Sequence, residues 1–175
     1  MEFLSAIKDR IPDYAKDIRL NLDGTIARSS LEGNDAVGVA LAAAFAAKSK
    51  TIADAIRSSG VLSPEEINGV HTAAALMGMN NVWYPFVEMA DDADLKTQRP
   101  ELRMTAYATH GGVDKRRFEM YALAASIVGK CHHCVASHFA ILKNEQGMSA
   151  QQLRDVGRIA AVVNAAAQVL ANEGQ

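Results

Sequence analysis

Aromatic residues are scarce in this chain: Phe, Trp and Tyr make up 6% of its 175 residues, with a single Trp. Cysteine is scarcer still, with two residues, and proline numbers four. Two cysteines do not make the disulfide framework that holds small secreted domains together, so they point to redox or metal chemistry instead. No basic tract is present, and the formal net charge is −2 with a sequence pI near 6.2. The electrostatic footprint of a nucleic-acid-binding surface is missing, so nucleic acid is not an expected partner. The longest alanine-rich run, 37–47, is too short to cross a bilayer, and no membrane association is expected. The opening Met-Glu-Phe-Leu-Ser-Ala-Ile-Lys lacks a basic segment followed by an apolar run, so the expected location is the cytoplasm.

What is present is helix-forming. Apolar residues reach 49%, much of it alanine, which suits helices packed closely through small side chains. No alternating strand pattern stands out, so the expectation is an all-α, compact multi-helix domain spanning 1–175. Two short helices are expected at 4–11 and 12–22, with Asp23-Gly24 as a break and 28–33 as a polar loop. Asn34 or Asp35 is a candidate cap for a helix reaching Ala47, and a short helix at 51–58 should stop at Gly60. Ser63-Pro64-Glu65-Glu66 reads as a capping box that opens a helix carrying His71 and Leu76 and ending near Met79. The segment 80–89 is amphipathic and aromatic with Pro85 inside it, 91–100 reads as a loop, and 102–108 as a short helix. His110-Gly111-Gly112 should turn, and Asp114 should cap a helix running to Val128. After a further helix to about Lys143 and a break at Gly147, Ser149 and Gln152 form a second capping box for a helix to Asn172.

The order of elements repeats. Ala40-Leu41-Ala42-Ala43 recurs as Ala122-Leu123-Ala124-Ala125, and the same offset places Lys48 on Lys130. Ser63-Pro64-Glu65-Glu66 matches Ser149-Ala150-Gln151-Gln152 after a small insertion. The expectation is an internal two-fold helical repeat, roughly 36–82 and 118–170, with the chemistry in the second half. On that alignment Ser49 and Ile52 stand where Cys131 and Cys134 stand in the second half.

Both cysteines and three of the five histidines fall in Gly129-Lys130-Cys131-His132-His133-Cys134-Val135-Ala136-Ser137-His138. If this stretch is helical, Cys131, Cys134 and His138 share a face within roughly 60°, while His132 and His133 point elsewhere. Two thiols at that spacing can close a disulfide, and an imidazole one turn on can move a proton to or from sulfur. Gly129 reads as the end of the preceding helix, so the pair would open a new one, where the helix dipole favours a thiolate. Three readings stay open at this point: a redox pair, two small apolar core residues, or three ligands of a metal site. Glu119 follows Lys115, Arg116 and Arg117, and its neighbours alone suggest a solvated face. His71 and His110 read as structural or surface residues, and Trp83, Tyr84 and Phe86 as core or subunit contacts.

Glu119, eleven residues, Cys131-His132-His133-Cys134, three residues and His138 together resemble the EX11CXXCXXXH motif of the alkyl hydroperoxide reductase D family, within the carboxymuconolactone decarboxylase-like group. Pro12-Asp13-Tyr14-Ala15-Lys16-Asp17 and Met77-Gly78-Met79-Asn80-Asn81-Val82 also resemble that family, and the likeness covers nearly the whole chain. The resemblance implies an all-α fold, a homotrimer and a thiol-dependent peroxidase. It implies that Cys134 attacks peroxide and becomes a sulfenic acid, that Cys131 resolves it as a disulfide, and that Glu119, His133 and His138 relay protons. It further implies a peroxiredoxin partner of the alkyl hydroperoxide reductase C type. Electrons would come from dihydrolipoamide on a lipoylated dehydrogenase-complex subunit, with no metal or bound organic cofactor.

Helix-end electrostatics alone would give Cys131 the lower pKa, whereas the resemblance makes Cys134 the nucleophile. A base beside Cys134 would reverse that order, because helix-end effects on exposed groups are about 1 kcal/mol or less. The expected function is antioxidant reduction of hydroperoxides. The rivals are a lactone decarboxylase and a non-enzymatic helical metal-binding or interaction protein.

Overall fold

Every residue from Asp35 to Ala44 is buried, although they all lie on one helix. A helix buried on all sides sits at the centre of its domain, and this one, α3 (Gly33–Ala46), is crossed by a second of the same kind, α7 (Lys115–Gly129), buried from Phe118 to Ser126. The backbones approach closely because small residues face large ones: a Cβ on Gly38 would lie 2.5 Å from the ring of Tyr121. The computed structural model describes residues 1–174; Gln175, the last residue of the expected domain, lies outside the described residues.

Around this pair run α1 (Glu2–Lys8), α2 (Lys16–Leu22), α4 (Lys50–Ser58), α5 (Pro64–Ala90), α6 (Ala93–Thr97), α8 (His132–Asn144) and α9 (Ala150–Asn172). α5 and α9 pack on both central helices, and α8 closes the end of α7. The fold is all-α, with no strand among the described residues.

Local signals set most helix ends. Ser63 and Glu66 exchange both capping-box bonds at the start of α5, and Ser149 and Gln152 do so at α9. Asp114 caps α7 through the Arg117 N–H. The ends of α3 and α7 also match: Lys48 and Lys130 are both left-handed, at φ 59° and 56°, and the next residue, Ser49 or Cys131, caps the following helix.

Several sequence expectations are corrected. Asp23-Gly24 does not break the chain; a π-helical turn, Asp23–Ala27, continues from α2, with Thr25 and Ile26 buried. Residues 12–22 are not one helix, since a 3-10 turn (Asp13–Ala15) precedes α2. Neither Asn34 nor Asp35 caps α3: Glu32 holds that position without a side-chain bond, and Asp35 is buried against Arg116 and Arg117 at 3.3 and 2.9 Å. α5 does not end near Met79 but runs on through Pro85 to Ala90. An internal proline costs a helix about 3 kcal/mol, and here interhelical contacts hold the segment: Asn81 bonds the Ala125 carbonyl at 3.0 Å, Tyr84 stacks on His133, and Glu88 pairs with His132. The stretch read as a loop at 91–100 contains α6, capped by Asp92. The helix expected at 102–108 is instead a 3-10 segment, Thr105–Gly112, turned by left-handed His110 and Gly111.

Gly129 ends α7 as expected, but not by adopting a left-handed conformation, which falls to Lys130. Its small size is what matters, since a Cβ there would sit 2.1 Å from Asn81 Nδ2 and 2.8 Å from Asn81 Cβ. Gly129→Ala should therefore push α5 from α7 and cost about 1–3 kcal/mol, the range for overpacking a tight contact. Urea unfolding checks this, and an unchanged midpoint would show that the seam yields freely.

Candidate active site

The site begins where α7 stops. Lys130 turns the chain, and the Cys131 N–H bonds the Ser126 carbonyl at 3.3 Å. Cys131 is then extended, at φ −85° and ψ 103°, and acts as the N-cap of α8, its Sγ accepting the Cys134 N–H at 3.2 Å. Cys131 is thus outside the helix, and the expected three-residue face is corrected: Cys134 and His138 share it, while the cap turns its sulfur back onto Cys134. The two sulfurs are bonded, with Cα atoms 5.3 Å apart, so the structure is the oxidised form.

His138, one turn after Cys134, is buried, and its Nδ1 lies 2.6 Å from Glu119 Oε2. A carboxylate only accepts, so His138 Nδ1–H donates to it. Nε2 faces Met77 Sδ at 3.1 Å. The solvated-face reading of Glu119 is overturned, because its exposure is 0%. Its charged neighbours are satisfied sideways instead. Arg116 and Arg117 reach Asp35, Arg117 also reaches Glu66, and Lys115 pairs with Glu145 at 2.7 Å.

One residue at this site was not singled out from the sequence. The Tyr107 hydroxyl donates to Glu119 Oε1, from the 3-10 segment that crosses over α5. Nothing in the local pattern around Tyr107 marks it, because the contact depends on how that segment folds back.

Cys134, His138, Tyr107, His133, Tyr84 and Met77 line one cavity of about 170 Å³. His133 is exposed and stacks on Tyr84 with ring centroids 4.1 Å apart, so it stands at the mouth, and Tyr84 is a wall of the site and not only a packing residue. His132 leaves the site and pairs with Glu88 at 3.0 Å. His71 packs on Phe45, and His110 on Phe118. A larger cavity of about 570 Å³ beside α1 and α4 contains neither cysteine nor histidine. Among the described residues, no three of His, Cys, Asp and Glu converge to hold a metal ion.

Burial works to raise the Glu119 pKa, but the hydrogen bonds from His138 and then Tyr107 outweigh it and hold the carboxyl below its ordinary value. Burial raises the Tyr107 phenol, and the bond to Glu119 and its charge raise it further, so the hydroxyl remains a donor. The pair is therefore a fixed carboxylate and an oriented imidazole, and the imidazole shares its cavity with Cys134. That arrangement can take a proton from a thiol and return it to a leaving group.

The profile of the carboxymuconolactone decarboxylase family matches residues 93–172. Among curated proteins, the alkyl hydroperoxide reductase AhpD of Rhodospirillum centenum is 40% identical, over 95% of this chain and 90% of its own. The AhpD of a Bradyrhizobium species is 38% identical over 94% and 91%. That of Coxiella burnetii is 36% identical over 95% and 96%.

Glu119 has a testable pH signature. A carboxyl whose folded-state pKa lies below its ordinary 4.5 stabilises the fold fully above that value, and the contribution is lost as pH falls through the lowered folded value. Glu119→Gln should lower the melting temperature at neutral pH, with the gap to the parent protein narrowing below pH 4.5. Thermal melts across that range check it, and a gap independent of pH would mean that Glu119 acts through packing alone.

Proposed function

This chain belongs to the alkyl hydroperoxide reductase AhpD family, and from that premise we propose that it reduces hydroperoxides by cycling Cys131 and Cys134 between dithiol and disulfide. The observation that carries this reading is the bonded cysteine pair set against a buried carboxylate–imidazole couple. In the reduced protein His138 Nε2 takes the Cys134 proton, and Glu119 stabilises the imidazolium. The thiolate attacks the outer peroxide oxygen, the O–O bond breaks, and the alkoxide leaves as an alcohol with the proton held by His138. Cys134 becomes a sulfenic acid. The Cys131 thiol then attacks that sulfur, a disulfide forms, and water leaves.

The division of labour between the sulfurs is favoured by their positions. Cys134 lines the cavity, while Cys131 is fully buried and occupied as a helix cap. The helix-end preference for a thiolate at Cys131 then finds its use in the return half of the cycle. A dithiol reductant attacks Cys134 through the cavity, and Cys131 departs as the thiolate that the α8 N-terminus stabilises. The exposure of His133 beside the cavity supports a role in exchanging protons with solvent. Dihydrolipoamide is the proposed dithiol, carried by a lipoylated dehydrogenase-complex subunit. A peroxiredoxin of the alkyl hydroperoxide reductase C type is a proposed second electron acceptor, and the proposed location is the cytoplasm. No helix among the described residues is long and apolar enough to cross a membrane. A lactone decarboxylase, the other chemistry named for the matching family profile, has no use for a bonded cysteine pair.

The reduced protein should lose both thiols of Cys131 and Cys134 to mild hydroperoxide and regain them with dihydrolipoamide in preference to other dithiols. His138→Phe and Glu119→Phe should each slow hydroperoxide reduction by at least ~10-fold, within the span general-base loss produces. Stopped-flow peroxide consumption with thiol counting reads both effects. Stable sulfinic acid on Cys134 beside a free Cys131 thiol would defeat the resolving role, and near-parent rates in both variants would defeat the relay.

A homotrimer belongs to the same proposal. Val82, Phe86 and Met89 expose apolar surface along the second half of α5, at 70%, 47% and 78%. Another subunit commonly covers a surface of that kind. Light scattering should give three times the chain mass of 18.7 kDa, and the mass of a single chain at micromolar concentration would refute it.

A further inference from the structure

We infer that Tyr107 is a positioning residue for the proton relay, a permanent hydrogen-bond donor that fixes Glu119 as a carboxylate aimed at His138. The inference rests on the reading of Glu119, His138 and Cys134 as that relay.

The geometry carries it in three steps. Glu119 is fully buried, and its two oxygens are divided between two partners: Oε2 takes the His138 Nδ1–H, and Oε1 takes the Tyr107 hydroxyl. A buried carboxylate with one oxygen unbonded is strongly penalised. The phenol is therefore the second donor, after His138, that keeps this group ionised, and it holds the oxygen that His138 does not.

The phenol is itself held in place. The 3-10 segment that carries it rests directly on α5, where a Cβ on Gly111 would lie 2.8 Å from Gly69 Cα. Asn68 Nδ2 bonds the Gly111 carbonyl at 2.7 Å. The ring meets Phe118 edge-on, at 5.3 Å and 88°, on the same helix as Glu119. The hydroxyl is thus delivered by a seated loop and does not sample the site from solvent.

The remaining groups around Glu119 do not replace it. Lys115, on α7, acts only through its charge and is paired with Glu145. His133 and Cys134 share the cavity, and α5 contributes Met77, Asn80 and Tyr84 to its wall, the last stacked on His133. His110 stands 6.1 Å from the Tyr107 ring. Among the described residues, Tyr107 and His138 are the two hydrogen-bond donors that reach the carboxylate.

Without the hydroxyl, Glu119 keeps one of its two donors, and its carboxylate is free to turn from His138. A carboxylate turned away stabilises the His138 imidazolium less, so Cys134 stays protonated to higher pH and the acid limb of its reactivity moves up. One hydrogen bond to a charged group corresponds to a shift of about one pH unit or more. Tyr107→Phe keeps the ring on Phe118 and removes only this bond.

The test follows the pH dependence of Cys134 alkylation by iodoacetamide in the reduced protein, with mass spectrometry to separate it from Cys131. The parent protein, Tyr107→Phe and Glu119→Gln are compared, with hydroperoxide consumption and thermal melts on the same samples. Tyr107→Phe should move the acid limb up by about one unit, slowing reaction ~10-fold on that limb and converging with the parent at high pH. Glu119→Gln should depress the rate across the range. A Tyr107→Phe profile that overlays the parent while Glu119→Gln departs from it would overturn the inference and leave the relay standing, whether or not the melting temperature falls. If Glu119→Gln also overlays the parent, the relay itself is wrong and Tyr107 has nothing to position.

Discussion

A carboxylate shut away from water must be paired and hydrogen-bonded, or the fold pays heavily for it. Glu119 imposes that requirement here. Satisfying it ties together three segments that are separate in the chain: the second turn of α7, the buried face of α8 that offers His138, and the 3-10 segment that offers Tyr107. Buried ion pairs seldom stabilise a protein more than well-packed apolar residues of similar volume. A helical protein rich in alanine had an apolar alternative at this position, so stability alone is a weak reason for the charge. The proton relay proposed for it is a better one.

The sulfur at Cys131 invites the same comparison. Ser49 caps α4 through the Ile52 N–H, at 3.4 Å, after a left-handed Lys48. Cys131 caps α8 through the Cys134 N–H, at 3.2 Å, after a left-handed Lys130. A hydroxyl therefore does the structural task of that position elsewhere in the same molecule. What sulfur adds is the bond to Cys134, and that bond requires the second cysteine one turn into the helix, beside the cavity.

The charged first turn of α7 shows how the inward glutamate is accommodated. Arg116 and Arg117 turn to Asp35 on α3 and Lys115 to Glu145. Burial raises the Asp35 pKa, and the two arginines oppose that rise. The cations are thus drawn to the sides, and the helix face two residues further on is free to turn inward. At the far end of the same helix, Gly129 and Asn81 set the distance between α5 and α7, and with it the point where Cys131 emerges.

Helix ends were legible because their causes are local. Ser63 with Glu66, Asp114 with Arg117, and Ser149 with Gln152 each act within four residues of chain, so a short window of sequence contains both partners. The spacing of Cys134 and His138 is local in the same sense, because one helical turn relates them whatever surrounds the helix. The motif resemblance added Glu119 and His133 as candidates, but the neighbours of Glu119 pointed to solvent, and no local rule placed it inside. Asp35 was read as a cap because it stands near a helix start, whereas its partners lie on a different helix. The helix from Pro64 was expected to end near Met79, whereas contacts from α7 and α8 hold it intact through Pro85 to Ala90. The sequence by itself thus determined the all-α class, most of the helix starts and the sulfur–imidazole register. Only the tertiary structure decided that Glu119 is buried, that Tyr107 completes it, and that Cys134 and not Cys131 faces the cavity. Those three outcomes depend on contacts between segments distant in the chain, and the relative placement of such segments is set by the packing of the whole core.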